Sequence, residues 1–483
     1  MGTINSALTL ISSALDADQS ALNVVSNNVA NAGTTGYTRE VPDFQESKPI
    51  EINGVSNGTG ATVTGATSVR DRVLEARLAQ QQQLSSASST RLAALNTLQA
   101  LFTPDSGSSA STAGDIGNDL TSFFNSFSSL ESNPTNNALR QEVLSSATTL
   151  AGDISNAAAS LGSQQSSLDQ EAAGISSQVN ALTSAIAQLN QQIRSTSPTA
   201  DAGTLEDQRQ QDIAQLSQLV GINQVTTENN GLSITTTSGQ LLVSQSTSYQ
   251  LTTGQSGGVT HFYLGGTDVT SGLTAGAGEL GGYLTVRDQD IPNAMAALDQ
   301  LSYSISTQVN ALNNSGTDAN GVEGTGTNSS GVTGTGTTRL YIFNQPAQVS
   351  GSALAMSVVM TDPGQIAAAS FGSGTGDNSN ALALANLATQ ATVNGQTPSG
   401  YYSQFVSQLG STVLQVQTES TAQSASSTQL QSQIDSLSGV NLNDEASSMQ
   451  QYERAYQAAS QVFTILNQVM ASVLNLGVQT AVS

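Results

Sequence analysis

Both ends of the chain carry an apolar seam at heptad spacing, and this restricts the fold more than any other feature. Ile4, Leu8, Ile11, Leu15, Asp18, Leu22, Val25 and Val29 are spaced alternately by four and three residues, an a/d stripe broken only by Asp18. Near the other end Met449, Tyr452, Tyr456, Ala459, Phe463, Leu466, Met470 and Val473 follow the same rule. Val462, Val469 and Leu476 add a second stripe beside it. A helix with so broad an apolar face needs more than one neighbour. Residues 1–35 and 445–483 are therefore expected to pack as antiparallel helices and to form an assembly interface.

Similar seams run through the interior. Leu168, Ala172, Ile175, Val179, Leu182, Ile186, Leu189 and Ile193 predict a long helix ended by Pro198. Shorter patterns predict helices from Leu205 to Val220, stopped by Gly221, and from Ile291 to Leu312. Another runs from Tyr402 to Leu437, with Ser420, Gln423 and Ser427 at seam positions, so its middle is either hydrated or bent. Residues 222–282 instead alternate with period two between glycine turns and read as short antiparallel strands. Residues 315–337, a Gly/Thr/Ser/Asn tract, read as a flexible loop, and Arg339–Phe343 and Ala353–Met360 as further strands. The expected fold is mainly α with an inserted β domain: coiled-coil-like terminal helices on a helical bundle body, a multidomain rod. The expected divisions are 1–45 with 441–483 for the terminal helices and 46–221 with 283–314 and 376–440 for the body. Residues 222–282 with 315–375 make the outer β-rich domain.

Composition excludes several functions. The net charge is −23, from 35 acidic and 12 basic residues, and Lys48 is the only lysine. A duplex binder needs clustered basic residues to displace counterions, so no nucleic acid and no anionic membrane surface is expected as a partner. No apolar run reaches the roughly 18 residues of a membrane span, which predicts no membrane insertion. Without cysteine, zinc ribbons, thiol catalysis and disulfide scaffolds drop out. The single histidine, His261, lies in an alternating strand with no nucleophile motif nearby and reads as an ordinary strand position. Asp318-Ala-Asn320-Gly321 starts like a calcium loop, but no glutamate follows at the ligand offset, so a solvated turn is expected. Asp288 and Asp290 precede Pro292 and suit a first helical turn. No catalytic residue, metal ligand or cofactor is expected.

The informative segment is Ser26 to Arg39, which contains Asn27, Asn28, Asn31, Thr35, Gly36, Tyr37 and Arg39. Physically it ends the first helix, with Gly33 suited to a left-handed cap and Gly36 to a tight turn. At the other end Gly439 stops one helix and Asn441 caps the next, with Asp444 completing a loose capping box. These two segments resemble the signatures of bacterial flagellar axial proteins. Within that group Tyr37-Thr38-Arg39 is similar to the hook-associated protein 1 family, since hook and rod proteins usually carry phenylalanine at the tyrosine position. Gly278 to Asp290 also resembles that family's strand-to-helix return. Asn443, Glu453-Arg454 and Glu40 depart from the family pattern on polar faces.

The resemblance implies a structural subunit at the hook–filament junction. It implies terminal helices that line the inner tube and order on assembly, with the β domain facing outward. Implied partners are other copies in a junction ring, the hook protein, a second junction protein (hook-associated protein 3) and an export chaperone. The implied location is the extracellular flagellum, reached by type III export without a cleaved signal. Alternatives are another axial protein of hook or distal rod, or a secreted adhesin with helical stalks.

Overall fold

The computed structural model describes residues 2–52, 55–103, 115–196, 201–226, 230–275, 277–328 and 330–480. Its helices are α1 (Gly2–Asn31), α2 (Arg72–Ala100), α3 (Ile116–Ser132), α4 (Asn137–Thr196), α5 (Thr204–Leu219), α6 (Thr270–Thr274), α7 (Gly278–Thr285), α8 (Ile291–Asn313), α9 (Ser379–Asn386), α10 (Pro398–Ser438) and α11 (Leu442–Thr480). Local chemistry sets several starts. Asp71 accepts from the Val73 and Leu74 amides at 3.0 Å, Asp115 from Asn118, and Thr397 from Gly400 ahead of Pro398 at the first turn. The 60 residues of α4 make it the longest helix, about 90 Å at the usual rise. Pro198, expected to end it, lies outside the described residues.

Two hydrophobic cores lie along α4. The first gathers α2, α3, α8, α9 and the start of α10 around Phe123, whose ring centroid lies 5.3 Å from that of Phe127 and 5.6 Å from that of Phe343. The second packs Val179, Ile186 and Leu216 against Ile234, Val243 and Phe262 of the β material. That material is a four-stranded antiparallel sheet (residues 222–248) and a three-stranded one (251–268). Alternate burial along Val259–Leu264 follows the period-two pattern. The polar middle of α10 stays helical and lies along α2, where the Gln81 side-chain amide donates to the Gln423 carbonyl at 3.1 Å.

Among the described residues no sheet contains strands from both 222–282 and 315–375, and Ile342, Phe343, Met356 and Ile366 belong to the first core. Arg339–Phe343 and Ala353–Met360 are apolar but lack ladders, because asparagines at the end of α8 satisfy the nearby backbone instead. Asn310 Oδ1 accepts from the Ile342 and Phe343 amides at 3.0 Å, and Asn313 Nδ2 donates to the Leu340 carbonyl at 2.7 Å. The flexible-loop reading of 315–337 gives way to a decapeptide repeat folded twice. Asp318 Oδ1 accepts from the amides of Asn320 and Val322, and Asn328 Oδ1 from those of Ser330 and Val332; Gly321 and Gly331 have φ of +76° and +78°. A Cβ on Gly334 would sit 2.1 Å from the Gly324 carbonyl, so glycine is needed where one coil stacks on the other.

Gly278 to Asp290, expected as strand into helix, also differs. It is α7 followed by a five-residue π-helix, Val286–Asp290, that runs directly into α8. Arg287, 1% exposed, holds this bulge by donating to Asp169 at 2.6 Å, the Thr260 carbonyl at 2.8 Å and Asp288 at 2.7 Å. Asp290 accepts from Arg91 at 2.9 Å, so these acids are ion-pair partners within a helix and not its first turn.

Between α3 and α4, burial and the neighbouring Asp153 push the Asp119 carboxyl up to about 7. Folding thus favours the protonated form, whose stabilising contribution is complete below the unfolded value of 3.8 and is lost as pH rises through about 7. Asp119→Asn should therefore raise the melting temperature at pH 8 and leave it nearly unchanged near pH 3, as measured by calorimetry.

Candidate functional site

The segments singled out at the two ends meet at one place, where the terminal helix pair joins the body. Helix α1 arrives there at its C-terminus and α11 starts there, so the two run antiparallel. At the near end Asn28 Nδ2 donates to Glu445 Oε2 at 3.0 Å, and further along Asp18 lies beside Tyr452. A hairpin formed by Glu40–Glu46 and Ala61–Ser68 covers another side of α1. It approaches closely at Gly60, φ +95°, where a Cβ would lie 2.9 Å from a Leu10 methyl.

Asn28, 1% exposed, is the centre of the joint. Its amide also donates to the Glu40 carbonyl at 2.8 Å, and its oxygen accepts from the Tyr37 hydroxyl and the Glu40 amide, both at 2.9 Å. Every hydrogen-bonding position of that side chain is filled. Glu445, also 1% exposed, accepts from Arg39 Nε at 2.6 Å. The Arg39 amide donates to the Ser438 carbonyl at 2.9 Å, tying the hairpin to the end of α10. Burial, with Glu40, Asp207 and Glu445 nearby, pushes the Tyr37 phenol up to about 12, so it stays a donor.

The network continues into the body through α5. Asp207 accepts from the Thr38 amide at 3.1 Å and from Arg70 at 2.6 Å, while Glu206 accepts from Arg72 at 2.9 Å. Gln211 donates to the Thr35 carbonyl at 2.6 Å. Gly36 has φ +78°, which strains any other residue, and a Cβ there would also displace the Gln211 amide. Gly33, by contrast, is not left-handed; the first helix ends through a turn from the Thr34 amide to the Asn31 carbonyl at 2.9 Å. Asn27 and Asn31 bond to each other at that end, 2.9 Å apart. At the other boundary Gly439 donates to the Asp435 carbonyl, and Asn441 accepts from the Asn443 amide at 3.0 Å.

Glu445, Glu206, Asp207 and Arg70 were not legible as joint residues. Acids in first helical turns are common in a chain with 35 of them, and their partners lie more than 100 positions away. His261 also has a partner the alternating pattern does not disclose. Its Nδ1 lies 2.7 Å from Asp268 Oδ2 across the hairpin, and two bonds from Thr270 and the imidazole hold that carboxyl down at about 2.

Comparison with known proteins adds three independent matches. The family described as "Flagellar hook-associated protein FlgK helical domain" matches residues 105–328. Two basal-body rod families match the ends, at 10–38 and at 431–476. Proteins named flagellar hook-associated protein 1 align over nearly the whole chain. That of Salmonella typhimurium is 27% identical over 96% of this chain and 98% of its own length. That of Escherichia coli is 27% identical over 98% and 99%. Over nearly its whole length the chain is similar to the flagellar hook-associated protein 1 family. Its fold resembles the hook junction protein FlgK from Burkholderia pseudomallei at a TM-score of 0.62 and 20% identity, over 75% of this chain and 100% of that one.

The surface of the terminal pair is only partly covered within one molecule. Ile4, Leu8, Ile11, Leu15 and Leu22 are half-buried, as are Tyr452, Phe463, Leu466 and Met470, while Val25 is buried. The deepest stripe on α1 is Ala17, Ala21, Val25 and Asn28, where small side chains allow close approach from two sides. Val29, Tyr456 and Val473 are exposed at 38%, 37% and 41%, so three seam positions are not covered within one molecule. Val462, Ile465 and Val469 are exposed at 45%, 57% and 43% along one side of α11. Leu476 has no described side chain.

Proposed function

We propose that this chain is the structural subunit that joins the flagellar hook to the filament, assembling through its paired terminal helices. The observation that carries the reading is the Asn28–Glu445–Arg39 joint: it fixes two helices, each with unspent apolar surface, to a rigid body. The unspent surface includes Val29, Tyr456, Val473 and the Val462–Val469 stripe, and neighbouring copies in a junction ring supply its cover. The hook protein lies on one side of that ring and the second junction protein, hook-associated protein 3, on the other. An export chaperone engages the C-terminal helix before type III export, which places the mature protein outside the cell. The domain division follows the same logic, with 1–45 and 441–483 as the assembling unit. In this proposal residues 222–282 alone form the β-rich domain, and 315–375 go with the body. Disrupting the gene should leave hooks intact while filament subunits escape into the medium; hooks of abnormal length or absent hooks would favour a hook or rod protein instead.

A structural role leaves no chemical step to His261. Its contact with Asp268 is largely solvated, so little of the fold's stability depends on it. His261→Ala should fold, be exported and support normal swimming. Complete loss of motility in a well-folded, exported variant would indicate an active role for the pair.

A further inference from the structure

A cleft of about 550 Å³ opens between α2, the first turns of α8, the Asn394–Gln396 turn and the first half of α10. Its size falls within the range of small-molecule sites, roughly 300–1,000 Å³. It lies in the helical body, apart from the terminal joint. The floor is apolar, with Leu95 fully buried and Leu409 nearly so. Phe405 forms part of the wall, its ring fixed edge-on against Phe102 at 4.9 Å.

The lining has hydrogen-bonding capacity to spare but no free charge. Among the described residues the side-chain amides of Asn293, Asn394 and Gln408 and the Tyr401 hydroxyl form no hydrogen bond within the protein. The one charged group, Asp290, has both oxygens engaged by Arg91 at 2.9 Å. A phosphate or carboxylate would find no unpaired cation, and a cationic ligand no unpaired carboxylate. Planar amides that both donate and accept, set beside a phenol and an aromatic ring, suit a ligand with many hydroxyls and an apolar sugar face. An extended peptide would need a backbone edge to pair with, and most of the wall is helix presenting side chains.

We propose that this cleft binds a neutral saccharide, a mono- or disaccharide or the end of a longer chain, with Tyr401, Asn293 and Gln408 as its polar contacts. Saturation-transfer NMR on the full chain with maltose, cellobiose and chitobiose tests this. One of the three should receive saturation, and the signal should not weaken as salt is raised. Its affinity should fall roughly tenfold in Tyr401→Ala and in Gln408→Ala, about the upper worth of one net hydrogen bond. Both positions are at least partly exposed, and circular dichroism confirms that the variants fold. Absence of saturation with all three sugars at millimolar concentration would overturn the proposal. So would a signal unchanged in both variants, or binding of acetyl-triasparagine amide in place of every sugar.

Discussion

Phe463→Asp with Leu466→Asp should yield a soluble monomer with near-normal thermal unfolding that no longer builds junctions. Both side chains are half-buried on α11, and the apolar stripe beside them is left open for neighbouring copies. An unpaired charge in such an interface costs several kcal/mol, enough to abolish ordered pairing. The two body cores contain no residue of α11, so the body should fold as before. Adding purified variant to isolated hooks separates failed assembly from failed export. Junctions built at the normal rate by that variant would contradict an assembly role for this face.

Asn28→Ala should undock the terminal pair while the body keeps its melting temperature. The substitution strips partners from the Glu40 amide and carbonyl, the Tyr37 hydroxyl and Glu445 at once. A buried polar group left unsatisfied costs about 1–3 kcal/mol, so about 3 kcal/mol or more is lost at the joint. Asn28→Asp should be worse, because it removes the two donors and sets a second carboxylate beside Glu445. Hydrogen exchange reads this directly: amides of α1 and of the start of α11 should lose protection, and those of α4 should not.

How much of this was legible follows from where each signal lies. The terminal helices were readable because their seams repeat over many residues and need no knowledge of partners. The sequence pattern picked the larger apolar residues and passed over Ala17 and Ala21, which are buried more deeply because they are small enough for close packing. Asn28, Tyr37 and Arg39 were marked only by resemblance, and Gly36 also as a tight turn. Their roles depend on Glu445 and Gln211, far away in sequence, and no local period encodes such a pairing. Apolar runs at 339–343 and 353–360 look like strands to any period-two test. What decides otherwise is Asn310 and Asn313 on α8, with Asn314 just beyond its end, which bond the neighbouring backbone from the side. The decapeptide stack was hidden in a tract whose composition suggests looseness. Its order comes from glycines that let coils touch and from Asp318 and Asn328 bonding back to their own turns.

The decisive measurement is a structure of the assembled hook–filament junction at side-chain resolution. In it α1 and α11 should still be antiparallel, joined at Asn28 and Glu445, with Val462, Ile465 and Val469 buried against helices of adjacent copies. Those three valine and isoleucine side chains facing water in the assembled ring, with the copies held together through the β sheets instead, would contradict assembly through the terminal helices.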